Sequence, residues 1–153
     1  MLCVDILLLS IHFSNLEGER MGKLTDELKG EHKVLLQEFE KIKQLGGFTP
    51  EGKSLLFNCK KILLSHLKKE DEQLYPVLKK AGIEDGTVMD LAEDYITEMK
   101  SISERAVKFF DTYERDDEDI DFAVAVEFLM GSLKNRISME ESILYKKFDE
   151  ISA

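Results

Sequence analysis

Apolar side chains recur every three or four residues through four long segments of this 153-residue chain, a spacing that places them on one face of an α-helix. The four stripes run from Leu24 to Ile42, from Leu55 to Val77, from Val88 to Tyr113 and from Phe122 to Phe148. Short connections make consecutive helices antiparallel neighbours. The sequence therefore predicts an all-α fold, an up-down-up-down four-helix bundle.

Local signals mark where these helices begin and end. The first is expected to start near Met21 and to stop at Gly46-Gly47, and Thr49 before Pro50 is a good N-terminal cap for the second. Pro76 predicts a kink or an end in the second helix. Loops are expected at Gly82 to Gly86 and at the acidic turn from Arg115 to Asp119.

Composition narrows the partners and the setting. The formal net charge is −10, and no basic block is present to contact phosphates, so neither nucleic acid nor an anionic membrane is expected as a partner. The two cysteines, Cys3 and Cys59, fit neither a zinc pattern nor a disulfide framework. We therefore expect a reducing, cytoplasmic setting, with Cys59 as a small core residue. Nothing in the sequence indicates an oligomeric state.

The first twenty residues are treated apart from the bundle, which is predicted over residues 21–153. Met1 to Phe13 is apolar but contains Asp5 and lacks the basic start of a secretory signal, and it is too short to span a bilayer. One hypothesis makes residues 1–20 an arm packed against the bundle. The other has translation start at Met21, because Glu17 to Arg20 can be encoded by purine-rich codons that resemble a bacterial ribosome-binding site.

Two ten-residue stretches, His66 to Tyr75 and Arg136 to Tyr145, share a glutamate, a leucine and a tyrosine at matching positions. In the first copy, His66 and Glu70 are four residues apart, so both can reach one metal ion from the same helix face. In the second copy, Arg136 occupies the position of the histidine. One copy has ligand-type residues, and the other carries a fixed cation.

Several polar residues lie on the otherwise apolar stripes. Burial of an unpartnered neutral polar group costs roughly 2–7 kcal/mol, and a charge costs more, so these side chains should converge on one another or on a ligand inside the bundle. They are His32 on the first stripe, His66 and Glu70 on the second, Tyr95 on the third, and Arg136 and Glu140 on the fourth.

From Met21 onward these motifs resemble the hemerythrin-like (HHE) cation-binding bundles. The matching pieces are Glu31-His32, His66-x-x-x-Glu70 with Leu74-Tyr75-Pro76, and Glu140-Glu141 with Leu144-Tyr145. The resemblance implies a non-haem di-iron centre held by histidines and two bridging carboxylates, in proteins that bind oxygen or sense iron or oxygen. Carried over by position, it implies His32 and His66 as ligands of one iron and Glu70 and Glu140 as the bridging carboxylates.

The other half of the family's site departs from the pattern. Where the family has two histidines on the third helix and one on the fourth, this chain has Tyr95, Met99 and Arg136, in a register that aligns Glu98-Met99 with Glu31-His32. Arginine is always charged and only donates, so it cannot ligate a metal. We expect its guanidinium to stand at the second metal position and to pair with Glu70 and Glu140.

Two functional interpretations stay open. The first is a single site of His32, His66, Glu70 and Glu140 for one divalent ion, with iron as the first candidate and zinc or manganese as alternatives, and with a small diatomic molecule as a further ligand. The second is a metal-free interaction or structural module in which Arg136 replaces the metal charge. No catalytic set is evident, and the Glu-x-x-His motif of ferritin-like bundles is missing, so no enzymatic activity is expected.

Overall fold

The computed structural model describes the backbone of residues 4–113 and 121–153 and the side chains of residues 22–113 and 121–153. Its helices are α1 (Val4–Leu45), α2 (Pro50–Lys69), α3 (Tyr75–Gly82), α4 (Gly86–Tyr113), α5 (Phe122–Met139) and α6 (Tyr145–Ser152). Two π-helical segments, Glu70–Leu74 and Glu140–Leu144, join α2 to α3 and α5 to α6 without a break. Within these ranges no helix combines the length and the apolar composition that a membrane span requires.

The described residues form four long helices, which confirms the predicted all-α four-helix bundle. Thr49 caps α2 as predicted, because its hydroxyl accepts a hydrogen bond from the Gly52 N–H at 3.0 Å. Gly46 ends α1 with a φ of 76°, a backbone conformation that glycine adopts without strain. The predicted acidic turn at Arg115 to Asp119 lies outside the described residues.

Helix α1 begins at Val4 rather than near Met21, so its helical backbone extends farther toward the N-terminus than the apolar stripe from Leu24 to Ile42. The side chains of residues 1–21 lie outside the described part of the chain. Whether residues 1–20 form a packed arm or precede the natural start stays a prediction.

The second and fourth helices each contain one π-helical turn, and proline does not explain it. The first turn starts at Glu70, six residues before Pro76, and the second, at Glu140, contains no proline. In each turn the tyrosine N–H, from Tyr75 or Tyr145, bonds to the carbonyl of the glutamate five residues earlier. Single π-turns of this kind occur often at functional sites. The interruption expected at Pro76 is therefore a π-turn that lies before it.

The core consists of two apolar clusters with a polar layer between them. One cluster includes Phe39, Phe110 and Leu133, and the other includes Leu28 and Phe148. Between them lies a layer of buried polar side chains, which we call the polar layer. Its members are His32, His66, Glu70, Arg136 and Glu140, and the ring of Tyr95 on α4 lies against Arg136. As predicted, Cys59 is a buried core residue, and burial raises the pKa of its thiol to about 12.

Substitution of Thr49 by Ala should lower the free energy of unfolding by about 1 kcal/mol, because the Gly52 N–H loses its partner at the start of α2. Urea denaturation followed by circular dichroism measures this. The matched control is Thr112→Ala, on an exposed position whose hydroxyl bonds only within α4. An equal loss in both variants would contradict the capping role.

Candidate metal centre

Five buried side chains, two imidazoles, one guanidinium and two carboxyls, meet in the polar layer. His32 comes from α1, His66 from α2, Arg136 from α5, and Glu70 and Glu140 from the first residues of the two π-turns. Each is 3% exposed or less. The structure therefore brings together all four predicted ligands and the arginine that replaces a ligand.

The two imidazoles are held by carboxylates on their outer nitrogens. The Nδ1 atom of His32 lies 2.8 Å from Glu141 Oε1, and the Nδ1 atom of His66 lies 3.1 Å from Glu31 Oε2. Lys69 in turn pairs with Glu31. Because an ionised carboxylate only accepts hydrogen bonds, these contacts assign the ring proton of each neutral histidine to Nδ1. Both Nε2 atoms are then left with a free lone pair.

Those lone pairs face each other. His32 Nε2 lies 3.1 Å from His66 Nε2 and 3.2 Å from Glu140 Oε2, so three acceptors share one space. The ligand atoms of His32, His66 and Glu140 all lie within 4.8 Å of one another. Such an arrangement needs a cation, either a proton or a metal ion. Histidines backed by carboxylates on the far nitrogen are typical of metal ligands.

Glu70 adds a further acceptor to this group. Its Oε1 lies 3.7 Å from His66 Nε2, and its Oε2 is buried with no hydrogen-bond partner among the described residues. Neighbouring donors around a six-coordinate ion with bonds of about 2.1 Å lie about 3.0 Å apart. His32 Nε2 is near that distance from both His66 Nε2 and Glu140 Oε2, whereas Glu70 is farther from His66, so His32, His66 and Glu140 form the group that fits one metal ion and Glu70 lies beside it.

The electrostatics of the two glutamates differ. Burial, together with the charge of Glu140, raises the pKa of Glu70 well above its ordinary value. Burial also acts to raise the pKa of Glu140, but a hydrogen bond from His32, which forms when its Nε2 is protonated, and the charge of Arg136 outweigh it, and the net shift is downward. Burial and the neighbouring His32 lower the pKa of His66, which favours its neutral, ligand-competent form.

Arg136 organises the other half of the layer. Its Nε donates to Glu140 Oε1 at 2.5 Å, one terminal nitrogen donates to Glu98 at 2.8 Å, and the other donates to the Tyr75 hydroxyl and the Tyr95 carbonyl at 3.1 and 3.0 Å. The guanidinium also lies over the Tyr95 ring, 4.4 Å from its centroid. These carboxylates balance the charge of the buried guanidinium, and all four partners accept hydrogen bonds from its N–H groups.

The predicted pairing of Arg136 with Glu70 is wrong. Glu70 Oε1 instead accepts a hydrogen bond from the Tyr145 hydroxyl at 2.8 Å, and Oε2 receives none. The physical reason is that Glu140 and Glu98 already provide the two carboxylates that the guanidinium can reach. Arg136 therefore acts on Glu70 only through its charge, which works against the rise in the pKa of that carboxyl.

The two halves correspond residue by residue. Glu98 holds the Arg136 guanidinium as Glu31 holds the His66 ring. This agrees with the register that places Met99 at the position of His32. We call the residues around His32 and His66 the histidine half and those around Arg136 the arginine half. Five residues of the histidine half have a counterpart in the arginine half, and the pairs are Glu31 and Glu98, His32 and Met99, His66 and Arg136, Glu70 and Glu140, and Tyr145 and Tyr75.

Two sets of functional residues were missed or misplaced by the sequence reasoning. Regular α-helical spacing predicts Tyr75 and Tyr145 to be packing residues with their hydroxyls at the bundle margin, but both are buried and their hydroxyls contact Arg136 and Glu70. Glu141, next to Glu140, appeared only as part of a motif. The sequence feature that could have identified Glu141 is its position next to a predicted ligand. From there its carboxylate can reach a histidine on another helix.

Comparison with known proteins agrees with this geometry. A family model described as Hemerythrin HHE cation binding domain matches residues 22–148, and the chain therefore belongs to that family. No curated protein and no solved structure matches the chain. The resemblance predicted from the motifs is confirmed, and the family's name describes the binding of a cation.

Substitution of Glu70 by Gln should stabilise the metal-free protein by on the order of 1–2 kcal/mol at pH values above the folded-state pKa of Glu70, because there the amide replaces a buried charge without changing the shape. The pKa of Glu70 is raised in the folded state, so its contribution to stability is full below the ordinary value near 4.5 and is lost as pH rises through the folded-state pKa.

The gain should therefore vanish as pH falls below 4.5. Urea denaturation in the presence of a chelator, repeated over a pH series, measures it. Glu72→Gln, on an exposed residue of the same π-turn, is the matched control and should show no such gain. A pH-independent effect of Glu70→Gln would contradict the assignment.

Proposed function

We propose that the protein binds one divalent metal ion through His32, His66, Glu70 and Glu140, and that it binds or senses iron or oxygen rather than catalysing a reaction. The observation that supports this most strongly is the pair of Nε2 atoms 3.1 Å apart, each on a ring whose Nδ1 faces a carboxylate. Membership in a cation-binding family supports it independently.

The donor set of two imidazoles and two carboxylates suits iron, and also zinc or manganese. Iron is the first candidate because the family resemblance points to it. Bound iron would supply a Lewis-acid centre able to take a small diatomic molecule such as dioxygen. The residues of this chain hold the ion, exclude bulk water by burial, and fix the ring orientations through Glu31 and Glu141.

One ion rather than two is proposed because of Arg136. Its permanent charge lies 2.5 Å from Glu140, at the position that corresponds to His66 in the other half. Arginine cannot donate a lone pair, and a second metal ion beside it would be repelled. We place the protein in the cytoplasm on the basis of its cysteine usage, and its acidic composition gives no reason to assign a nucleic-acid or membrane partner.

A second candidate function is a metal-free module. It is favoured by the completeness of the Arg136 network, which leaves only the histidine half in need of a cation. A proton shared between His32, His66 and Glu140 would fill that need. In this case the polar layer fixes helix register, and stability would not depend on a metal.

The metal content of the purified protein distinguishes the metal-binding function from the metal-free module. Protein grown with iron and purified without chelator or histidine tag should carry close to one metal ion per chain by mass spectrometry. The His32→Ala/His66→Ala double variant should carry none. The matched control is Val34→Ala/Leu64→Ala, which truncates exposed residues on the same two helices and should keep the ion.

Removal of the ion with a chelator should lower the melting temperature of the wild type, because a ligand that binds only the folded state stabilises it. The double histidine variant should not respond to the chelator. Near-zero metal in the wild type, with a melting temperature that the chelator does not change, would favour the metal-free module.

Arg136→His should raise the metal bound per chain from about one toward two, because it restores a ligand-type residue beside Glu140 and Glu98. Met99→His added to it should complete the second half. Arg105→His, on an exposed face of α4, is the control. If neither variant binds more iron than the wild type by mass spectrometry, the arginine half does not correspond to a second metal position.

A further inference from the structure

The Tyr145 hydroxyl lies among the ligand atoms of the candidate metal centre. Its oxygen is 2.8 Å from Glu70 Oε1 and 3.4 Å from His32 Nε2, and the side chain is fully buried. The phenol ring stacks parallel to the His32 ring, with 9° between the planes. These separations are close to the roughly 3.0 Å expected between neighbouring donors around one ion.

The arginine half shows what the corresponding tyrosine does near a cation. Tyr75 is the counterpart of Tyr145, and its hydroxyl oxygen accepts a hydrogen bond from Arg136 at 3.1 Å. The oxygen of Tyr75 thus faces the cation of its half. Because the two halves correspond, Tyr145 is placed to direct its own oxygen at the cation of the histidine half.

We propose that Tyr145 is a further ligand of the metal ion, through its phenolate oxygen. This inference rests on the proposed function, since it assumes an ion at His32 and His66. It distinguishes this chain from a site built only of imidazoles and carboxylates, and it assigns to the ferric form an optical property that such a site lacks.

The proton of the phenol has a defined destination. On binding of an ion, the O–H bond of Tyr145 would break as its oxygen donates a lone pair, and the proton would move along the existing hydrogen bond to Glu70 Oε1. Glu70 Oε2, which has no hydrogen-bond partner among the described residues, would stay available to the ion. No oxidant or reductant takes part in this step, and the charge of the cluster is unchanged.

The Tyr145 hydroxyl is a phenol in the structure, since it donates its proton to Glu70 Oε1. Phenolate bound to a ferric ion absorbs visible light by charge transfer from oxygen to iron, whereas a phenol near the ion does not. The colour of the ferric protein is therefore a direct readout of ligation, separate from metal content and from any activity.

The test uses the full chain loaded anaerobically with ferrous ammonium sulfate, freed of excess salt, and oxidised with one equivalent of ferricyanide per iron. Iron per chain is measured by mass spectrometry, and visible absorption is recorded on the same sample. The wild type should hold about one iron and show the band. Tyr145→Phe should still hold iron but lose the band, and the matched Tyr75→Phe should keep both.

The outcomes separate the two proposals. Iron in the wild type without a visible band, or a band that persists in Tyr145→Phe, overturns the ligand role and leaves the metal site intact. No iron in the wild type overturns the metal site and the ligand role together. If Tyr145→Phe does not fold, resonance Raman spectra of the wild type and of Tyr75→Phe, with and without ring-deuterated tyrosine, decide the question. Enhanced phenolate modes that shift with deuteration support ligation, and their absence overturns it.

Discussion

The polar layer depends on one constraint, which is that each site imidazole is fixed at Nδ1 by a carboxylate from another helix. Glu31 and Glu141 thereby decide which nitrogen of His66 and His32 carries the proton, and both Nε2 atoms turn toward the same point. Three buried acceptors cannot remain so close without a cation between them. The rest of the layer follows from that need, and the two apolar clusters on either side keep bulk water away from it.

The need for a positive charge among buried acceptors is met in two ways in this bundle. In the histidine half the cation is exchangeable, because neutral imidazoles can release or take up an ion. In the arginine half the cation is covalently part of the chain, and Glu140, Glu98 and Tyr75 surround it much as ligands surround a metal. Glu140 belongs to both halves, since one oxygen faces Arg136 and the other faces His32. The fixed charge thus lowers the negative charge available to any ion in the neighbouring half.

Much of this could be predicted from the sequence, and the errors share a physical cause. Apolar stripes with a spacing of three and four predicted the bundle, because packed helices require that spacing. The polar residues on these stripes are buried because they occupy core positions. The assumption of a regular α-helical period is also why the hydroxyls of Tyr75 and Tyr145 were predicted at the bundle margin and not in the site. In an α-helix, a residue five positions after a glutamate lies about 140° around the axis from it, whereas in a π-turn it lies above it. The long-range contacts of Glu141 and Glu98 depend on how helices face each other, which no local pattern encodes.

The π-turns also set the rotation of everything that follows them. Each accommodates one residue more than an α-helical turn of the same height. If the same residues were wound as a regular α-helix, the helix beyond them would be rotated by about 100°. Leu78 in α3 and Phe148 in α6, both fully buried beyond the site, would then leave the apolar cluster they occupy. Packing at the far end of the bundle therefore keeps the π-turns wide, and the geometry of the site depends on side chains that never approach the ion.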